Sequence, residues 1–202
     1  VTGDGSDNIF IGLQAGQKGA DKQENVAIGR GAHTGYATSD SSDGNVSIGY
    51  YAGRLFQNSN LNTAIGYYAG HGNGSGGSSA LRNVFLGAYA GYNHWNGIQD
   101  NIYVGYYAGA LNQQGDRNII IGSGSTANGN PSDQLRIGHS TLHVISGSLT
   151  TGDIIFYNTA SAPNFSGSFQ GDGSGLTGVG GDAFPFTGDA QITGSLTVSG
   201  SL

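Results

Sequence analysis

Apolar residues along this chain fall into short runs that return at nearly even intervals. The runs share one phrase, Asn-x-x-Ile-Gly, in which Leu or Val sometimes takes the Ile place. Its Asn stands at Asn8, Asn25, Asn45, Asn62, Asn83, Asn101 and Asn118, and its Gly at Gly12, Gly29, Gly49, Gly66, Gly87, Gly105 and Gly122. Gln134-Leu135-Arg136-Ile137-Gly138 is an altered eighth copy. Successive closing glycines are 17, 20, 17, 21, 18, 17 and 16 residues apart. The second and fourth positions of a phrase, Val46 and Ile48 for instance, alternate with the third and share one face of a short strand. That face is apolar in nearly every copy. The Gly after it allows a bend or a close backbone approach. Three copies then continue as Tyr-Tyr-Ala-Gly, beginning at Tyr50, Tyr67 and Tyr106, with looser versions beginning at Leu13 and Ala88. The intervening residues are rich in Gly, Asn, Ser and Asp and read as loops. Helix is disfavoured, because Gly recurs every few residues at a cost of about 1 kcal/mol each relative to Ala.

A period near 17 with two short apolar pieces suits one coil of a parallel β-solenoid or β-roll, because stacked coils bury what one coil cannot. The predicted fold is therefore all-β, with about eight coils over residues 1–145, each rising about 4.8 Å. In such a stack the Asn residues form a column in register, and their amides bond coil to coil. The repeat stops near Ser146, and no Lys or Arg follows Arg136. Residues 146–202 read as short alternating strands with Gly-Ser turns, as in Gly147-Ser148-Leu149-Thr150 and Gly194-Ser195-Leu196-Thr197-Val198. So few apolar residues do not build a core, and such a segment orders by oligomerising. The expectation is a thin, intertwined β-region about a three-fold axis.

Composition narrows the class. Gly supplies 39 of the 202 residues, yet without the third-residue period of collagen. The 11 Tyr and 8 Phe, with many Ile and Val, separate the chain from disordered sequences. Net charge is −6, and the seven Lys and Arg are scattered from Lys18 to Arg136. Nucleic acid binding needs clustered cations, so it is set aside. No run of 18 apolar residues exists, so membrane insertion is not expected.

Candidate chemistry is sparse. Acids sit beside the Asn column at Asp7, Glu24 and Asp100, and two residues upstream of it at Asp43 and Asp116. Paired carboxylates about 5 to 10 Å apart cleave polysaccharides. These acids repeat with the register, however, which reads as a solvated loop edge, and no enzyme activity is expected. His33, His71, His94, His139 and His143 lack metal-ligand spacing, so no metal is expected. The Asp-Gly pieces at Asp4 and Asp172 read as turns rather than calcium sites, the Gly-x-Gly pieces lack a phosphate-loop Lys, and no cofactor is expected. Tyr92, His94 and Trp95, the only Trp, lie together in one loop and are the candidates for a contact with host cell-surface glycan. The competing reading is a loop packed on a neighbouring coil or chain. The recurring Tyr pairs read as packing between coils or subunits.

The Asn-x-x-Ile-Gly phrases resemble the head repeats of trimeric autotransporter adhesins, which are left-handed parallel β-rolls packed three side by side. The longer form with Tyr-Tyr-Ala-Gly resembles repeats of phage tail fibres. Phe169-Gln170-Gly171-Asp172-Gly173-Ser174-Gly175-Leu176-Thr177 resembles a motif of phage structural proteins. The stretch from Phe184-Pro185-Phe186-Thr187-Gly188-Asp189 to Gly194-Ser195-Leu196 resembles a phrase in virion proteins of large tailed phages of marine cyanobacteria. These resemblances imply a homotrimeric tail-fibre component of the virion, partnered by other virion proteins and presenting surface for host attachment. The alternatives are a bacterial trimeric surface adhesin and a polysaccharide-degrading tailspike.

Overall fold

Each phrase folds into a strand of three residues, and the closing Gly ends it. The computed structural model describes residues 6–18, 22–35, 41–73, 79–94, 97–110, 114–124, 131–140 and 142–157. Its strands are β1 (Ile9–Ile11), β2 (Val26–Ile28), β3 (Val46–Ile48), β4 (Thr63–Ile65), β5 (Ala80–Leu81), β6 (Val84–Leu86), β7 (Ile98–Gln99), β8 (Ile102–Val104), β9 (Ile119–Ile121), β10 (Gln134–His139), β11 (Leu142–Ser148) and β12 (Ile154–Phe156). The main sheet runs β1-β2-β3-β4-β6-β8-β9-β10-β11-β12. Every pairing from β1 to β10 is parallel and in phase with the phrase, as in Val46↔Thr63, Ser47↔Ala64 and Ile48↔Ile65. A short second sheet, β5 with β7, runs parallel on another side of the coils. The result is a parallel β-solenoid of about six turns, with no helix among the described residues. The eighth repeat supplies β10, the last parallel strand of the stack, which then turns back into β11.

Corners close each coil, and they are columns of left-handed residues. The residue before each Asn has positive φ: Asp7, Glu24, Gly44, Leu61, Arg82, Asp100, Arg117 and, before Gln134, Asp133. After the strand, a turn closes with the Ala52 N–H donating to the Gly49 carbonyl and the Ala69 N–H to Gly66. Its third residue is again left-handed, and here Tyr51, Tyr68, Tyr89 and Tyr107 occupy a place where Gly is the usual choice. Gly66 is required for a different reason. Its φ is +136°, and a Cβ there would stand 2.6 Å from the Gly87 carbonyl oxygen of the next coil.

The interior corrects one implication of the alternating pattern. The residues facing inward are those at the third position: Ala27, Ala64, Phe85, Tyr103 and Ile120 are fully buried, and Ser47 with them. Facing them are Ala32, Ala52, Ala69, Ala90 and Ala108, also fully buried. The space between is narrow, which explains the Ala-Gly pairs: a Cβ on Gly70 or Gly91 would lie 2.6 or 2.3 Å from the Phe85 ring. The second and fourth positions, apolar in nearly every phrase, point outward instead. Ile9, Ile11, Leu86, Ile102 and Ile121 are exposed, and Val26, Ile28, Val46, Ile48, Ile65, Val84, Val104 and Ile119 are half-buried.

Beyond residue 145 the sheet continues without a break. β11 runs antiparallel to β10, with a bulge at Ile137/Gly138, and β12 runs antiparallel to β11. The first compact unit spans Val1–Ala160 and the second Ser161–Leu202. The thin intertwined region expected over 146–202 therefore begins as a hairpin on the solenoid's own sheet, and from residue 158 onward it lies outside the described residues, as do the Phe169 and Phe184 phrases.

Candidate functional site

Chemistry on this molecule is arranged in columns, so its surfaces are best built one column at a time. The Asn column is internal. The Asn45 N–H donates to Asn25 Oδ1 at 2.9 Å, and Asn45 Nδ2 donates to the same oxygen at 3.1 Å. The pattern repeats from Asn25 on Asn8 to Asn118 on Asn101. These Nδ2 groups also donate to a carbonyl of the chain leading to the next Asn, such as Ser42, Ser59, Ala80 or Ile98. Asn25, Asn45, Asn62, Asn83, Asn101 and Asn118 are all buried. Gln134 takes the next place with its backbone N–H alone, donating to Asn118 Oδ1 at 2.9 Å.

Acids flank this column on one side. Asp43 and Asp116, two residues upstream of an Asn, accept the backbone N–H groups of Gln23 and Gln99, both at 2.9 Å. They are coil-to-coil acceptors. Asp100 and Asp133 hold Arg82 and Arg117 at 2.7 and 2.6 Å on the solvent side. The hydrogen bond from each guanidinium holds the carboxyl below the usual range. Asp7 and Glu24 are exposed in the same left-handed column.

On the far side of the sheet the turn tyrosines form a ridge. Tyr50 stacks on Tyr67 at 5.2 Å, Tyr68 on Tyr89 at 5.6 Å and Tyr89 on Tyr107 at 4.5 Å. The Arg54 guanidinium lies 4.8 Å from the Tyr51 ring centre, and Arg30 lies 6.0 Å from Tyr50. Arg54 Nη1 also donates to His71 Nε2 at 3.1 Å. Burial, then the Arg54 charge, lowers the His71 pKa to about 4, so the ring is neutral and accepts that bond. Tyr67 and Tyr106 are about half exposed, at 47% and 56%.

Of the glycan-contact candidates, Tyr92 and His94 face different surroundings. Tyr92 is half-buried on the ridge against Tyr68, His71 and Tyr89. His94 is 1% exposed and points inward, stacked on Phe85 with its Nε2 3.2 Å from the Gly70 carbonyl, so it offers nothing to a sugar. Trp95 lies outside the described residues. His139 is exposed on β10, and His33 is buried between Phe56 and Ser47. No group of His and acids among the described residues has metal-binding geometry. Two features escaped the sequence reading. Lys22 is buried, its Nζ 3.0 Å from the His33 carbonyl and 3.4 Å from that of Gly16. Burial and then this charge lower the His33 pKa to about 3. Nothing in the local sequence marks Lys22 as internal. No protein-family model matches the chain, and neither a curated protein nor a solved structure does.

Proposed function

We propose that this chain is a structural segment of a homotrimeric phage tail fibre, whose work is to hold shape and present surface for attachment to a host. One observation carries the reading: the outward face of the main sheet is an apolar strip running the length of the coil stack. Eight stacked strands about 10 Å long and about 4.8 Å apart give roughly 340 Å² of flat apolar face. The exposed tyrosines widen it. A strip of this size is comparable to the largest apolar patch of an ordinary monomer, which is often a functional surface. Three copies packed with these faces toward a common axis remove it from water. Stiffness comes from the parallel ladder and the buried Asn amides. The Asn-x-x-Ile-Gly phrases favour a second reading, the head of a bacterial trimeric adhesin, built on the same face. Attachment of this chain to phage-host cells, set against its display on the outer membrane of the cell that makes it, separates the two. No catalytic role is proposed, since the acids beside the Asn column serve backbone N–H groups, arginines or solvent.

The test is Ile102→Glu. Ile102 is 40% exposed in the single chain, so a carboxylate there leaves the coil intact. In the assembly it faces an apolar neighbour. The expected result is a folded β-rich monomer where the unaltered chain is a trimer. An Ile102→Glu chain with unchanged trimeric mass overturns the reading.

A further inference from the structure

Charge is divided unevenly between the two flanks of the coil stack, and the division changes along its length. In the later coils the charges of the left-handed column neutralise one another along the axis: Arg82 pairs with Asp100, and Arg117 with Asp133. In the first coils they do not. Asp7 and Glu24 occupy the same column with Gly44 next in line, so among the described residues of that column no cation stands beside them. A left-handed position is costly for any residue but Gly. Charged side chains placed there, as at Arg82 and Asp100, otherwise have an ion partner. On the opposite flank, beyond the sheet, the described cations are Lys18, Arg30 and Arg54, with Arg30 6.0 Å from the Tyr50 ring centre and Arg54 4.8 Å from that of Tyr51. Among the described residues, the segments that follow β1, β2, β3, β4, β6 and β8, up to the next loop, contain no Asp or Glu. The acidic and basic flanks lie on opposite sides of the same strands, and no ion pair joins them within the described residues.

We infer that in the trimer the acidic flank of one copy meets the Arg-Tyr flank of the next, with Glu24 paired to the partner's Arg30. The inference rests on the trimeric reading above. A ring of three requires two different, complementary patches on each copy, and these flanks supply them on either side of the apolar face. Rotation about an axis parallel to the stack keeps every coil at its own height. The acid that precedes a strand therefore meets the base that follows the same strand in the neighbour. Glu24 and Arg30 flank β2, so the pair matches in height. Slippage by one coil breaks the match, so this pair sets the register as well as the partner.

The experiment measures trimer dissociation by sedimentation at about 50 mM salt for the full chain, Glu24→Arg, Arg30→Glu and the double reversal. Folding is checked by circular dichroism. Arginine is tolerated in the Glu24 column, since Arg82 and Arg117 already occupy it. Each single reversal is expected to raise the trimer dissociation midpoint about tenfold, and the double reversal to restore it to within about threefold. At about 0.5 M salt the differences should shrink. Single reversals that leave the midpoint unchanged, or a double reversal no better than the worse single, overturn the pairing while the trimer stands. An unaltered chain that is monomeric at every concentration overturns the trimeric reading, and the pairing with it.

Discussion

Replacing Asn83 with Ala removes an interior rung of the buried amide column. The Asn83 side chain donates to Asn62 Oδ1, to the Leu81 carbonyl and to the Ile98 carbonyl, at 3.0, 3.1 and 3.1 Å. Its Oδ1 accepts the backbone N–H of Asn101 at 2.9 Å and the Asn101 amide at 3.0 Å. Two amide protons shared among three acceptors, plus two accepted bonds, amount to about four hydrogen bonds at about 1 kcal/mol net each. The Asn101 N–H is left without its acceptor in the interior, at a further cost of about 1 kcal/mol or more. The expected loss is about 4–5 kcal/mol, a large part of the roughly 5–15 kcal/mol that holds an ordinary domain together. Asn8→Ala, at the half-buried end of the column with one neighbour instead of two, should cost about half as much. Urea unfolding at one fixed protein concentration measures both, with amide hydrogen exchange at Asn101 as the local reading. Asn83→Asp keeps the shape and the acceptor but loses the donors and turns a carboxylate toward Asn62 Oδ1, so it should be no milder than Ala at neutral pH. A loss below about 1 kcal/mol for Asn83→Ala, with the Asn101 amide still protected, refutes the claim that the column stabilises the stack.

His33 is neutral in the folded coil, its pKa lowered from 6.5 to about 3 by burial and then by Lys22. The unfolded chain takes up the proton first, so this contribution to stability is complete above pH 6.5 and falls away as the pH drops toward 3, at up to about 1.4 kcal/mol per unit. Unfolding midpoints measured from pH 7 to 4 should fall less steeply in His33→Leu, and equal slopes contradict the burial argument. Gly66→Ala meets the Gly87 carbonyl at 2.6 Å with φ +136°, whereas Gly124→Ala, with φ +61°, finds its nearest atom at 3.8 Å. The first should cost more than about 3 kcal/mol and the second about 1 kcal/mol, with denaturant titrations of the two variants as the check.

How much was legible in the sequence depended on whether a column repeats one residue type. Asn and Gly recur at one phase, so their stacking follows from spacing alone. The direction of the strand faces does not, because Ile119, Ile120 and Ile121 are apolar on both. The deciding factor is the width of the coil: opposite the Ala column there is room for one side chain, and Phe85 or Tyr103 fills it. The third position varies from Ala to Tyr because each coil fills its own space, while the outward positions are steadily β-branched or aliphatic. That contrast was present in the sequence and is the signal of a flat outer face. The left-handed turns at Tyr51, Tyr68, Tyr89 and Tyr107 could not be foreseen, since sterics favour Gly there. Stacking between successive rings offsets part of that cost. His94 stood beside Tyr92 and Trp95 in sequence, but the corner at Asn93, with φ of 65°, turns it inward.

The most direct test of the central claim is the native mass of the chain by light scattering in dilute buffer. Three faces meeting at an axis predict three times the 20.5 kDa of one chain at concentrations above the dissociation midpoint. A folded, monodisperse species at 20.5 kDa would contradict it, and would mean that the apolar face stays open to water or is covered from within its own chain.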